Sequence, residues 1–211
     1  ITTQIGPHDG IAEIAQCIQR INNILIDFNQ DIWIYISNDI FKLKAKDGEV
    51  GSSTMPHKIN PIDFENSEGN LGLSNSLMSF FAEKLPKSRL QRDLSDSTVL
   101  RNLGIGFGYS YLAITSTLKG LKKLQPNKSH AQNELLDNWQ VLAEALQIVM
   151  KLEGHDNAYE LIKTKTRGLN LNKESYLDLV DSLEISSKAK NKLKLLTPMN
   201  YLGIAPKLAK S

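Results

Sequence analysis

A single cysteine, Cys17, in 211 residues excludes an internal disulfide and suits a reducing compartment. Its place in a helical pattern predicts a small, buried core residue. Metal-ligand spacings are also missing. There is no HExxH, CxxC or carboxylate triad, and His8, His57, His130 and His155 are scattered, so no metal site is expected. No apolar run reaches membrane length and no signal-peptide pattern occurs, so no membrane partner is expected. A net charge of +2, with only a modest basic cluster near the C-terminus, gives no electrostatic reason to expect nucleic acid. Strand signals, internal repeats and low-complexity tracts are absent too.

What remains is a helical chain, 41% hydrophobic and so able to bury a core in one or two domains. Ile11, Ile14, Ile18, Ile21, Leu25, Phe28, Ile32 and Tyr35 alternate spacings of three and four, an apolar heptad stripe. Ile24, Ile26, Trp33, Ile34 and Ile36 add further apolar faces, which predicts a helix buried among several neighbours. A helix from about Gly10 to Lys44 is roughly 50 Å long, too long for a small compact domain, and points to a multi-helix bundle shared between subunits. A second helix is expected from Pro61 to about Glu83, and a third, capped by Asp96, from Ser97 to about Leu124. Pro126-Asn127 marks a boundary, followed by shorter helices near 128–139, 141–153, 157–166, 173–183 and 186–195, with Gly154 and Gly168 as stops. The expected architecture is all-α: a central helical-bundle domain over 1–121 and a smaller C-terminal helical domain over 122–211. The opening ITTQIGPHDG lacks a starting Met and reads as part of a longer protein.

The richest segment is GSSTMPHKINPIDFEN, residues 51–66. Gly51, its hydroxyl neighbours and Pro56 make a loop. Asn60-Pro61 reads as a helix start, with Asp63 and Glu65 in the first turn. Free N–H groups and the helix dipole suit an anion there. Ser52 or Ser53 is a candidate base, but a serine alkoxide needs strong positive potential, which Lys58 and the helix start supply in part. The plain alternative is a flexible Gly-Ser linker. His57 is either a ligand contact or an exposed loop residue. Arg92 and Arg101 bracket Ser97 and Thr98, which makes either an anion pocket or a salt-bridged connector with Asp93 and Asp96. Gly104-Ile105-Gly106-Phe107-Gly108 follows no strand and is not a dinucleotide loop; its glycines predict close helix contact.

GSSTMPHKINP resembles the signature loop of the fumarase/aspartase superfamily. Its extension IDFEN, the following SEGNLGLSN and the later RDLSDSTVLRNLG are similar to the adenylosuccinate lyases of bacterial type. The resemblance runs from TTQIGPHD to TPMNYLG and corresponds to the second half of the family's polypeptide. It implies the superfamily's long-helix bundle and C-terminal helical domain. It also implies β-elimination of fumarate from succinylated purine nucleotides (adenylosuccinate and SAICAR), without a cofactor, in a cytoplasmic homotetramer whose active sites are shared between subunits. By the same resemblance Ser52 is the general base and Ser53 a substrate contact. Lys58 and Asn60 hold the succinyl carboxylates, with Lys58 stabilising the carbanion. Asn66 and Gln4 are further contacts, and Arg92 with Ser97, Thr98, Val99, Leu100 and Arg101 binds the nucleotide. The family's general-acid histidine belongs to the preceding half, so neither His8 nor His57 takes that role. The alternatives are another C–N lyase of the superfamily, such as argininosuccinate lyase, or an inactive oligomerising piece.

Overall fold

A computed structural model describes residues 1–44, 60–168 and 171–210. Two compact units divide at Asn127: Ile1–Asn127 and Lys128–Ser211. The signature loop's Gly51–Ile59, with Ser52, Ser53, His57 and Lys58, lies outside the described residues.

The first unit is built on three long helices, α1 (Asp9–Ser37), α2 (Ile62–Lys84) and α4 (Leu103–Lys123), with the short α3 (Ser95–Leu100) before the last. α2 packs along both α1 and α4. The first helix ends at Ser37, short of the expected Lys44. The amide of Asn38 closes onto the Ile34 carbonyl and Asp39 turns into left-handed backbone, φ 58°. The chain then forms β1 (Phe41–Leu43), which pairs antiparallel with β2 (Leu124–Pro126), Phe41 opposite Pro126. No strand was expected; three residues each are too few for an alternating pattern to show. The pairing also keeps 124–126 with the first unit, so the division falls beyond the expected residue 121. The third expected helix breaks at Arg101-Asn102 into α3 and α4, and α3 begins at Ser95, whose amide donates to Asp93 Oδ1 (2.9 Å). The N-cap position is therefore Leu94 rather than Asp96, with Asp93 one residue outside the helix. At α2 the N-cap position is Pro61, with Asn60 one residue outside.

The heptad stripe of α1 divides between two faces. Ile11 and Ile18 pack against the cluster of Ala15, Met78, Phe81, Leu85 and Val99, and Ile32 is buried. Ile14, Ile21 and Tyr35 face outward and are exposed. Cys17 is exposed as well, contrary to the expected core position, because it falls on the face turned from α2.

The inner seam contains residues that a hydrophobic pattern passes over. Asn22 and Asn29 are fully buried. Asn22 Nδ2 donates to Ser74 Oγ (3.1 Å), Ser74 Oγ bonds Ser110 Oγ (2.7 Å), and Ser110 Oγ donates back to Asn22 Oδ1 (3.0 Å). One heptad along, Asn29 Nδ2 donates to Ser67 Oγ (2.9 Å), Ser67 Oγ bonds Thr117 Oγ1 (2.7 Å), and Thr117 Oγ1 donates to Asn29 Oδ1 (3.1 Å). These are two closed three-helix rings of the same connectivity, with buried Leu71 and Ala113 between them along the helices. Outside the rings the helices approach closely: a Cβ on Gly106 would meet Phe81 Cε2 at 2.9 Å, and one on Gly120 would meet Phe64 Cε2 at 2.8 Å. Gly104 and Gly108 have open space, so close contact explains only the middle glycine of that run.

The second unit holds α5 (Lys128–Leu136), a 3₁₀ turn (Trp139–Leu142), α6 (Ala143–Leu152), α7 (Ala158–Thr166), α8 (Lys173–Asp181), α9 (Ser187–Lys194) and α10 (Ala205–Leu208). Its core gathers Trp139, Leu142, Leu146, Met150, Tyr176, Val180 and Leu193. The Tyr176 hydroxyl donates to the Leu193 carbonyl (2.9 Å). Gly154 and Gly168 take positive φ, 92° and 77°, as helix stops. Asn172 and Ser175 form a reciprocal capping box at α8.

Candidate active site

The described candidate residues fall into two groups at opposite ends of α2. Asn60 and Asn66 stand at its start. Asn66 is exposed, and its carbonyl accepts from Asn70 Nδ2 (2.7 Å). This end is anchored by Asp63, whose carboxylate accepts from Lys119 Nζ and Lys123 Nζ, both at 2.9 Å. Burial alone would raise the Asp63 pKa, but the two lysines outweigh it and hold the carboxyl below its usual range. Ser116 Oγ also donates to the Asp63 carbonyl (2.8 Å), tying the first turn of α2 to α4.

At the other end, Gln4 lies in the segment before α1, whose Thr3 and Ile5 share a cavity with Leu85, Pro86 and Ser88, the residues that follow α2. His8 begins α1 in left-handed backbone (φ 57°), and its Nε2 is 3.4 Å from Asp96 Oδ2 on α3. Asp96 Oδ1 also accepts the Ser97 amide (2.7 Å). A cavity of about 200 Å³ opens here between Thr3, Gly6, His8, Pro86, Ser88 and Asp96. The connector to α3 is organised by Asp93. It accepts from the Ser95 hydroxyl and amide and from the Arg89 amide (3.1 Å) and Nε (3.3 Å), and the Ser95 hydroxyl above all keeps its carboxyl well below the usual range. The salt-bridged arginine of the connector is therefore Arg89. Among the described residues, neither Arg92 nor Arg101 is ion-paired, and both side chains are exposed.

Thr98 is exposed and lines an apolar groove with Leu77, Phe80 and Asn102; Ser97 is half-buried. Val99 is buried in the core beneath α3 and Leu100 packs on the same cluster, so these two can offer a ligand only backbone groups. The ends of α2 are roughly 30 Å apart at 1.5 Å per residue, so one chain does not bring Asn60 and Asn66 together with Gln4, Arg92 and Arg101. Sequence reasoning missed the His8–Asp96 contact and the Asp63 triad. Both are long-range pairings, 88 and 56 to 60 residues apart, that no local pattern registers. Among the described residues no cluster of three or more His, Cys, Asp or Glu is arranged to hold a metal, and no helix is long and apolar enough to cross a membrane.

A bundle of long helices followed by a helical unit, with the sequence GSSTMPHKINP ahead of α2, is the arrangement of the fumarase/aspartase fold. Residues 1–73 match the family model described as lyase, and residues 88–202 match the one described as adenylosuccinate lyase C-terminal. The chain belongs to the adenylosuccinate lyase family. It is 58% identical over 210 residues to adenylosuccinate lyase of Legionella pneumophila, covering 100% of this chain and 46% of the relative. It is 55% identical over 204 residues to that of Escherichia coli K12, covering 97% and 45%. The Vibrio cholerae protein of the same name is 53% identical over 207 residues, covering 98% and 45%. The chain thus spans about half the length of the curated relatives it matches.

Proposed function

We propose that the full-length protein containing this chain is an adenylosuccinate lyase of purine biosynthesis, eliminating fumarate from adenylosuccinate to give AMP and from SAICAR to give AICAR. The observation that carries this is the 58% identity spanning the whole chain, signature loop included. Ser52, as the alkoxide, takes the proton from the succinyl Cβ. The electron pair moves onto the adjacent carboxylate as an aci-carboxylate dianion, which Lys58 and Asn60 stabilise. The C–N bond then breaks. Fixed cations and donors aimed at that second negative charge favour the transition state over the ground state. The leaving nitrogen needs a proton, and none of the residues assigned here supplies it. Ser53, Asn66 and Gln4 hold the succinyl-purine, while Arg92, Arg101 and the hydroxyls of Ser97 and Thr98 take the phosphate.

The two-ended placement of these residues supports a site assembled from several subunits, and a homotetramer is the assembly proposed. Exposed Ile14, Ile21, Leu73, Phe80, Tyr111 and Leu118 on the three long helices supply apolar surface for such contacts. No cofactor is required by this chemistry, and a cytoplasmic location fits it. In the full-length enzyme Ser52→Ala is expected to lower turnover by about 10²–10⁴-fold while adenylosuccinate still binds. Near-normal fumarate release by Ser52→Ala would remove the base assignment. Fumarate from argininosuccinate but not from adenylosuccinate would remove the substrate.

A further inference from the structure

Asn60 and Asn66 work only if α2 keeps one axial and rotational setting against α1 and α4. Its apolar residues specify that setting poorly. The inward face of α2 reads Phe64, Ser67, Leu71, Ser74, Met78, Phe81, so two serines interrupt the apolar seam. Both serines belong to the hydrogen-bonded rings, and every ring residue is at most 5% exposed. Inside a dry core, a carboxamide without partners is far more costly than a displaced methyl group.

The repeat fixes the register. If α2 slid by one heptad in one direction, Ser74 would serve Asn29 while Phe81 met Asn22. In the other direction, Ser67 would serve Asn22 while position 60 met Asn29. Only the observed register closes both rings, and rotating α2 opens both. Single buried asparagines select register in coiled coils by the same penalty.

We propose that Asn22, Ser74, Ser110, Asn29, Ser67 and Thr117 are positioning residues that set α2 in register and thereby place Asn60 and Asn66. The ring nearer these two, Asn29–Ser67–Thr117, carries the larger share, since Ser67 directly follows Asn66. This rests on the functional reading above, but the register itself can be tested without it.

In full-length protein, the variant Asn29→Leu/Ser67→Ala/Thr117→Val replaces the near ring by apolar groups. Its thermal midpoint is expected within a few degrees of the parent, while kcat/KM for adenylosuccinate falls at least tenfold. In a cysteine-free background, joining the pair Gln30→Cys/Glu68→Cys with a short bis-maleimide reports register, because the native side chains meet tip to tip at 2.9 Å beside this ring. Cross-linking yield from that pair is expected to be high in the parent and severalfold lower once the ring is removed. Unchanged yield with kcat/KM within twofold of the parent would overturn the proposal. If the triple variant does not fold, Thr117→Val and Thr117→Ser decide. Valine keeps the shape and loses the hydroxyl, and is expected to lose activity; serine keeps the hydroxyl and is expected to restore it. Equal activity in the two refutes the role. A parent releasing no fumarate would instead sink the functional reading and leave the cross-linking result standing.

Discussion

The Asp63–Lys119–Lys123 triad gives the sharpest stability prediction, because its two lysines differ so much in exposure. Lys123 and Asp63 side chains are 7% and 8% exposed, whereas Lys119 is 58% exposed. At 2.9 Å and an effective dielectric near 20, the Asp63–Lys123 attraction is about 6 kcal/mol before desolvation. Desolvation of both ions offsets much of that. Removing Asp63 withdraws this close counter-charge from both lysines while the desolvation cost remains, and breaking a buried pair from one side costs about 3–5 kcal/mol. An exposed pair such as Lys119–Asp63 contributes about 0–1 kcal/mol. Asp63→Asn should therefore cost about 3–5 kcal/mol in a urea titration followed by circular dichroism, and Lys119→Met less than about 1 kcal/mol. Lys123→Met falls between them, since Asp63 keeps Lys119. The pH dependence gives a second readout. The folded carboxyl is more acidic than its ordinary value of 3.8, so its contribution is complete well above that pH and is lost as pH falls through the folded value. The gap between parent and Asp63→Asn should be full at neutral pH and close in acid. Asp63→Asn proving as mild as Lys119→Met, or a gap that persists unchanged in acid, would refute the reasoning.

Gly120→Ala places a methyl 2.8 Å from the buried Phe64 ring; overpacking of about 1–3 kcal/mol exceeds the roughly 1 kcal/mol gain in helix propensity, so a lower urea midpoint is expected, and a higher one would contradict the packing. Burial pushes the Tyr176 hydroxyl from 10.0 up to about 12, which favours the neutral phenol in the folded state. Stability of the second unit should therefore be intact below pH 10 and decline by about 3 kcal/mol toward pH 12. Tyr176→Phe should flatten that alkaline limb, at a cost of about 1 kcal/mol near neutrality for the lost bond to Leu193. Asn172→Ala removes the capping box of α8 and should cost about 1 kcal/mol by chemical denaturation.

Local signals served well where one residue decides the outcome. Gly154 and Gly168 stop helices because positive φ suits glycine, the apolar period marks α1, and Asn60-Pro61 marks the start of α2 to within two residues. They failed where the deciding partner is distant. Phe41–Leu43 becomes a strand only because Leu124–Pro126 returns beside it. Ile14 and Ile18 look alike in a periodicity, yet one is exposed and the other packs on the core. Asn22 and Asn29 look like surface residues until their spacing is set beside that of Ser67–Ser74 and Ser110–Thr117, also seven apart. Arg92 and Arg101 were legible from their spacing as a candidate anion pocket, and Asn60 and Asn66 as candidate site residues by resemblance. Their separation along α2 was not, because a motif records residue types and spacing but no length along a helix.

That separation bears on how damaged copies behave when mixed. Under the proposed assembly, a defect at Asn66 and a defect at Arg92 on the same chain burden different catalytic centres. Two inactive variants, one altered at each end of α2, should then regain part of their activity when dissociated and reassociated together. Hybrid particles would contain some centres in which every contribution is intact, so inheritance of two separate lesions in one organism need not sum to their individual effects.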